Sequence, residues 1–193
     1  MQKGTFLKQP TISVVYFSGT GNTEIAANAV LAGCESVSDV DVVLIAITGE
    51  DIDAGRWSND NIAAQLDASA AIIFGTPTYM GSVSAQFKAF MDAMAPRWYT
   101  GAWRNKIGAA FTVSSLISGD KLNTLNDLVV FAMQMGMIWC GTGGNFAEGV
   151  NSHGFYLGAG LQSLGEGGFS ETDVKTAEYL GQRVAGLTLD HST

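Results

Sequence analysis

Residues 12–23 read Ile-Ser-Val-Val-Tyr-Phe-Ser-Gly-Thr-Gly-Asn-Thr. A run rich in β-branched and aromatic residues passes without a break into two glycines and four hydrogen-bonding side chains, none of them charged. Such a run is the pattern of a buried strand. The residues that follow, 23–31, place Ile25, Ala26, Ala27, Val30 and Leu31 at helical spacing with no breaker. Strand, glycine loop and helix together open a βα unit. Gly19 and Gly21 let consecutive N–H groups turn inward, while Ser18, Thr20, Asn22 and Thr23 add side-chain donors. The helix contributes the positive end of its dipole, so the loop reads as an anion site, most simply for phosphate. The alternative is a tight strand-to-helix turn capped by Asn22 or Thr23.

The loop is not a Walker A, because no Gly-Lys-Ser/Thr follows and no lysine lies nearby. A dinucleotide fingerprint also fails, since Glu24 stands at the third glycine position. Asp39 and Asp41 precede the second strand, whereas a ribose-binding acid belongs at its end. Hydroxyls without a cation suit the terminal phosphate of a monoester.

The remaining chain repeats the pattern. Residues 40–47, 70–74, 107–113 and 137–140 read as further strands. Residues 62–66, 84–94 and 122–135 read as helices, and Ser170-Glu-Thr-Asp173 resembles a capping box that opens a last one. Strands apolar along their whole length, each followed by a helix, predict a parallel sheet covered on both faces. The expected architecture is one doubly wound α/β domain over residues 1–193.

Composition excludes several function classes. The net charge is -8 with only 10 Lys and Arg, which argues against nucleic acid. No segment has the roughly 20 apolar residues that span a bilayer, and Lys3 and Lys8 precede too short an apolar run for an export signal. Cys34 and Cys140 share no motif spacing, so no metal site is expected and both read as reduced and buried. These features point to the cytoplasm. No Gly-x-Ser-x-Gly elbow marks a serine hydrolase. Asp51 and Asp53 read as an acidic surface loop.

Ligands of doubly wound folds sit at the carboxyl ends of the strands. Two further loops there carry chemistry. In the second, residues 75–82, Pro77 fixes a turn, Gly75 and Gly81 free the backbone, and Tyr79 and Met80 offer flat or soft surface. The third, residues 112–120 (Thr-Val-Ser-Ser-Leu-Ile-Ser-Gly-Asp), is rich in hydroxyls. Together they describe a phosphate cradle beside two walls for a planar ring. His153, in a glycine-rich loop, reads as a solvated histidine or as a proton donor to a bound ring.

Ser-Gly-Thr-Gly-Asn-Thr resembles the phosphate loop of flavodoxins. Gly-Thr-Pro-Thr-Tyr-Met-Gly-Ser and the helix after it resemble the Trp-repressor-binding-protein family of flavodoxin-like NAD(P)H:quinone oxidoreductases. The similarity runs through Trp98, the Gly-Met-Ile-Trp strand and the closing helix. The family often has His-His-Gly-Met where this chain has Met-Gln-Met-Gly-Met, residues 133–137. The resemblance implies a five-stranded parallel sheet of order 2-1-3-4-5 and FMN as cofactor. Ser18, Gly19, Thr20, Gly21, Asn22 and Thr23 would hold its phosphate, and Pro77, Thr78, Tyr79, Met80 and Gly81 would line the isoalloxazine. Thr112, Val113, Ser114, Ser115, Leu116, Ser118 and Gly119 would meet the ribityl chain and pyrimidine edge. Trp98 would wall the site from a neighbouring subunit of a homo-oligomer, a dimer or tetramer. The implied activity passes two electrons from NAD(P)H to a quinone or flavin acceptor, with Trp98 and His153 as the candidate catalytic side chains. A flavodoxin-type electron carrier is the alternative.

Overall fold

A computed structural model describes residues 9–165 and 168–192. Lys3 and Lys8 lie outside them. The elements are β1 (Thr11–Phe17), α1 (Asn22–Glu35), β2 (Asp41–Ile47), β3 (Ile52–Asp53), β4 (Arg56–Trp57), α2 (Asp60–Ala68), β5 (Ala71–Tyr79), β6 (Ser82–Val83), α3 (Ala85–Ala93), α4 (Ala95–Thr100), β7 (Ile107–Ser114), α5 (Lys121–Gln134), β8 (Ile138–Trp139), β9 (Ala159–Gln162) and α6 (Glu171–Ser192). The parallel sheet runs β2-β1-β5-β7, and β7 is followed by both β8 and β9. This is the expected 2-1-3-4-5 order with its fifth strand in two pieces. Residues 138–139 pair with Ile107 and Gly108, and residues 159–162 pair with Phe111 through Ser114.

The sequence reading ended the fifth strand at residue 140 and left its second half in a loop. The intervening stretch is packed rather than slack. The Thr142 hydroxyl donates to Phe155 O at 3.0 Å, and buried Asn151 accepts from Phe155 N at 2.9 Å. Four residues of β9, two of them Ala and Gly, were too short and too small to show a period. The hairpin β3–β4 and helix α4 were missed for the same reason.

The strands alternate between two cores. Val15 and Phe17 face the side of α3 and α5, whereas Ile12, Val14 and Tyr16 face α1 and α6. The edge strand β2 is a correction to the all-buried reading, because Asp41, Val43 and Ala46 are exposed. The capping box of α6 is half made. Ser170 Oγ accepts from Asp173 N at 3.1 Å, but the Asp173 carboxylate turns away to other groups.

Helices α1 and α6 approach through two glycines. A Cβ on Gly33 would lie 1.9 Å from Glu178 O, and one on Gly181 would lie 2.1 Å from Val30 O. The obstacle is backbone, so it yields only if the helices separate. Gly33→Ala is therefore expected to destabilise by about 1–2 kcal/mol, overpacking outweighing the gain in helix propensity. Urea denaturation measures this, and an equally stable variant would contradict the close approach.

Candidate functional site

The first loop leaves β1 at Phe17 and enters α1 through Gly21, whose φ of 87° suits glycine. The first N–H groups of a helix have no partner within it. Here Glu24 N donates to Ser18 Oγ at 3.3 Å and Ile25 N to Gly21 O at 3.1 Å. The N–H groups of Asn22 and Thr23 are left to an outside acceptor. Thr23 is buried, and its hydroxyl makes no hydrogen bond among the described residues. Asn22 donates from Nδ2 to Thr20 Oγ1 at 3.1 Å, while its Oδ1 is buried without a partner. Turned over, that amide presents a donor at the orphaned position. Donors collect in this loop, and among the described residues no lysine or arginine bonds to it.

The second loop continues β5 into a two-residue turn, with Tyr79 paired to Ser82 across it. Met80 (φ 48°) and Gly81 (φ 78°) are both left-handed, as a tight hairpin turn of this length requires. Methionine is unusual there, and its side chain is fully exposed. The Tyr79 hydroxyl lies over Gly19, where a Cβ would come within 2.4 Å of it. The first two loops therefore touch, and a side chain at residue 19 would push the Tyr79 hydroxyl aside. Beneath, Thr78 Oγ1 bonds to Thr112 Oγ1 (2.9 Å) and Thr124 Oγ1 (2.8 Å), tying the loop to β7 and α5. Asn123 Nδ2 donates to Gly81 O at 2.8 Å.

The third loop is held from behind. Lys121, fully buried, donates from Nζ to Ser114 Oγ (2.9 Å) and Leu116 O (2.7 Å), and lies 5.5 Å from the centre of the Phe155 ring. Gln162 Nε2 donates to Ser115 O at 3.1 Å. Asp173 accepts from Gln162 N at 3.0 Å, and its other oxygen is 2.9 Å from His153 Nε2. Burial pushes the Lys121 ammonium down to about 8, against the opposing pull of the Asp173 carboxylate.

That value carries a sign. An unfolded lysine titrates at about 10.4, so between about 8 and 10.4 the unfolded chain holds the extra proton and stability rises with pH. Lys121→Met lacks this contribution. The stability of the native chain relative to Lys121→Met should climb by about 2–3 kcal/mol across that window. Chemical denaturation of both at a series of pH values checks it; a constant difference would contradict the buried charge.

The structure brings Ser18 through Thr23, Thr78 through Gly81 and Ser114 through Gly119 to one edge of the sheet. The side chains of Thr112 and Val113 are buried in β7, and the Thr112 hydroxyl is spent on Thr76 O at 2.7 Å. Pro77 is likewise buried. His153 corrects the solvated reading: its side chain is 13 % exposed, bound to Asp173 and stacked on Phe155. Trp98 is half exposed on α4 and lines a cleft of about 500 Å³ between α3, α4 and α5 with Met91, Val130 and Gln134. That cleft meets the loops only at Ser82 and Val83 of the hairpin. Asp51 is structural, accepting from Asn59 Nδ2 at 2.8 Å. Cys34 and Cys140 are free and buried, and burial pushes the Cys34 thiol up to about 12. Among the described residues no cluster of His, Cys, Asp or Glu could hold a metal, and no helix is long and apolar enough to cross a membrane.

Sequence reasoning missed Lys121, Thr124, Gln162 and Asp173. Only Lys121 carried a signal: a cation in the first turn of a helix opposes the dipole and requires another reason to be there.

Comparison with known proteins places these features among relatives. The pattern of the NADPH-dependent FMN reductases matches residues 12–148. The flavodoxin FldP of Pseudomonas aeruginosa is 33 % identical, over 90 % of this chain and 94 % of its own. An NAD(P)H dehydrogenase (quinone) of Azorhizobium caulinodans is 31 % identical over the same shares. The crystal structure of a flavodoxin, WrbA-like protein from Agrobacterium tumefaciens superposes with a TM-score of 0.76 at 41 % identity, covering 94 % of this chain and 99 % of that one.

Proposed function

The chain belongs to the NADPH-dependent FMN reductase family of flavodoxin-like proteins, and from that membership we propose that it passes two electrons from NAD(P)H to a quinone or flavin acceptor, the two substrates taking turns at one site. The protein is an FMN-dependent oxidoreductase. The observation that carries the site is the first loop, where unanswered N–H groups and an orphaned amide end stand together without a cation. That donor set fits a phosphate monoester. It does not fit a pyrophosphate, for which the loop lacks the third glycine.

FMN, when bound, supplies an atom, N5, that accepts and returns a hydride. The chain's own part is to bind and orient. Ser18, Thr20, Asn22 and Thr23, with the N–H groups of α1, would hold the phosphate. Tyr79 and Met80 would form one wall of the ring site, Met80 presenting a mobile, polarisable surface that accepts different flat partners. The third loop would meet the opposite edge of the ring through its backbone. No strong general base is required.

The flavodoxin relative at 33 % identity and the acidic surface favour a second reading, an electron carrier that docks on other proteins. Steady-state oxidation of NADPH and NADH by FMN-loaded protein with a benzoquinone separates the two. Sustained turnover is expected. Reduction of the bound flavin without turnover would support the carrier instead.

A further inference from the structure

We infer that Lys121 is a positioning residue that turns the Ile117 N–H of the third loop outward, beside the Leu116 N–H that Gln162 turns, and lends it its charge, so that the loop grips the reduced, more negative form of a flavin better than the oxidised form. This rests on the reading above that the loop meets the flavin edge.

In a trans peptide the C=O and N–H point in opposite directions. The Ser115 carbonyl accepts from Gln162 Nε2 on β9, which sends the Leu116 N–H to the opposite side of that peptide. The Leu116 carbonyl is directed inward to Lys121 Nζ, which sends the Ile117 N–H outward. The side chains of Leu116 and Ile117 are exposed on the same loop. Two adjacent N–H groups are thus each turned away from the side chain that holds the neighbouring carbonyl, and both are offered to a carbonyl or anionic edge at the loop. Hydrogen bonds in series polarise one another, so a cation on the Leu116 carbonyl makes the Ile117 N–H a stronger donor. The charge reaches the ligand through one peptide group.

The surroundings keep the lysine on this task. Asp173 gives one oxygen to Gln162 N and the other to His153, so the hydrogen bonds of Lys121 go to Ser114 and Leu116. The Phe155 ring holds the ammonium from a second side. Gly119 lets the loop close on Ser114, whose Oγ lies 2.4 Å from where a Cβ would stand.

Lys121→Met, Lys121→Arg and Asp173→Asn, each loaded with FMN, are compared with the native chain by redox titration and by the Kd of oxidised FMN. For Lys121→Met the ratio of reduced to oxidised affinity should fall about tenfold, which lowers a two-electron potential by about 30 mV. Lys121→Arg should keep most of it. Equal loss of both affinities with an unmoved potential would overturn the inference. Should Lys121→Met fail to fold, Asp173→Asn decides when titrated at about pH 6, where Lys121 keeps its proton without the carboxylate's support: removing the opposing charge should raise the ratio, and an unchanged ratio counts against the idea. Amide exchange of the flavin-free native chain is a separate readout. Leu116 and Ile117 N–H should exchange as solvent-facing groups; strong protection would overturn the inference while leaving FMN binding intact. A native chain that fails to bind FMN would instead defeat the cofactor reading.

Discussion

FMN is expected to bind on the order of 10³-fold or more tightly than riboflavin, a difference of about 4–6 kcal/mol carried by the phosphate alone. The two ligands share the ring and ribityl chain, so the comparison isolates the first loop. A dianion there would receive the N–H groups of Asn22 and Thr23, the Thr23 hydroxyl and the amide of Asn22, each hydrogen bond strengthened by charge to about 1.5–3 kcal/mol. The helix dipole adds to them. Thr23→Val should cost FMN about 1–3 kcal/mol and leave riboflavin unchanged. Fluorescence titration of the flavin-free protein with both ligands measures all four constants. Equal losses would mean that buried Thr23 acts through the fold. Acid release from the native complex should give FMN, and recovery of FAD alone would exclude the loop as a monoester site.

The parts legible in the sequence were those that backbone chemistry writes locally. The run from Ile12 to Phe17 reads as a buried strand, and Gly19 and Gly21 read as a loop that turns N–H groups inward, against the alternative of a plain capped turn. The strands β1, β5 and β7, and their place in a parallel sheet, followed from their continuous apolar character. What stayed hidden depends on residues far apart in the chain. Lys121 on α5 and Asp173 on α6 are separated in the chain by β8 and β9, and nothing local to Asp173 announces its part behind the third loop. Thr112 has the composition of a ligand residue, yet strand pairing turns its hydroxyl onto Thr76 O. Tyr79 could be packing or platform by sequence; only its place over Gly19 ties it to the phosphate loop. The second half of the fifth strand was hidden because the four residues Ala159–Gln162 are too few and too small to show a period.

Double-reciprocal plots at several quinone concentrations are expected to be parallel, the sign of two substrates that use the same space in turn. A nicotinamide must lie flat on the flavin with its donor carbon within roughly 3–3.5 Å of N5, so the ring face must be open when the donor arrives and open again for the quinone. The second loop is built for such exchange. Its backbone is pinned by Thr78 and Asn123, while Met80 stands clear of every neighbour at the tip of the turn. Met80→Ala should therefore raise the KM for quinones several-fold with little change in FMN affinity, because the phosphate anchor lies in another loop. Trp98 belongs to a different surface, a cleft that meets the loops only through Ser82 and Val83. If the ring site is complete within one chain, Trp98→Ala leaves both constants alone. If a second copy of the chain supplies Trp98 to the ring, the same substitution raises quinone KM and the effect disappears when the assembly is dissociated by dilution. Intersecting lines, or a Met80→Ala variant that loses FMN and quinone together, would show that donor and acceptor do not share the face that Tyr79 and Met80 frame.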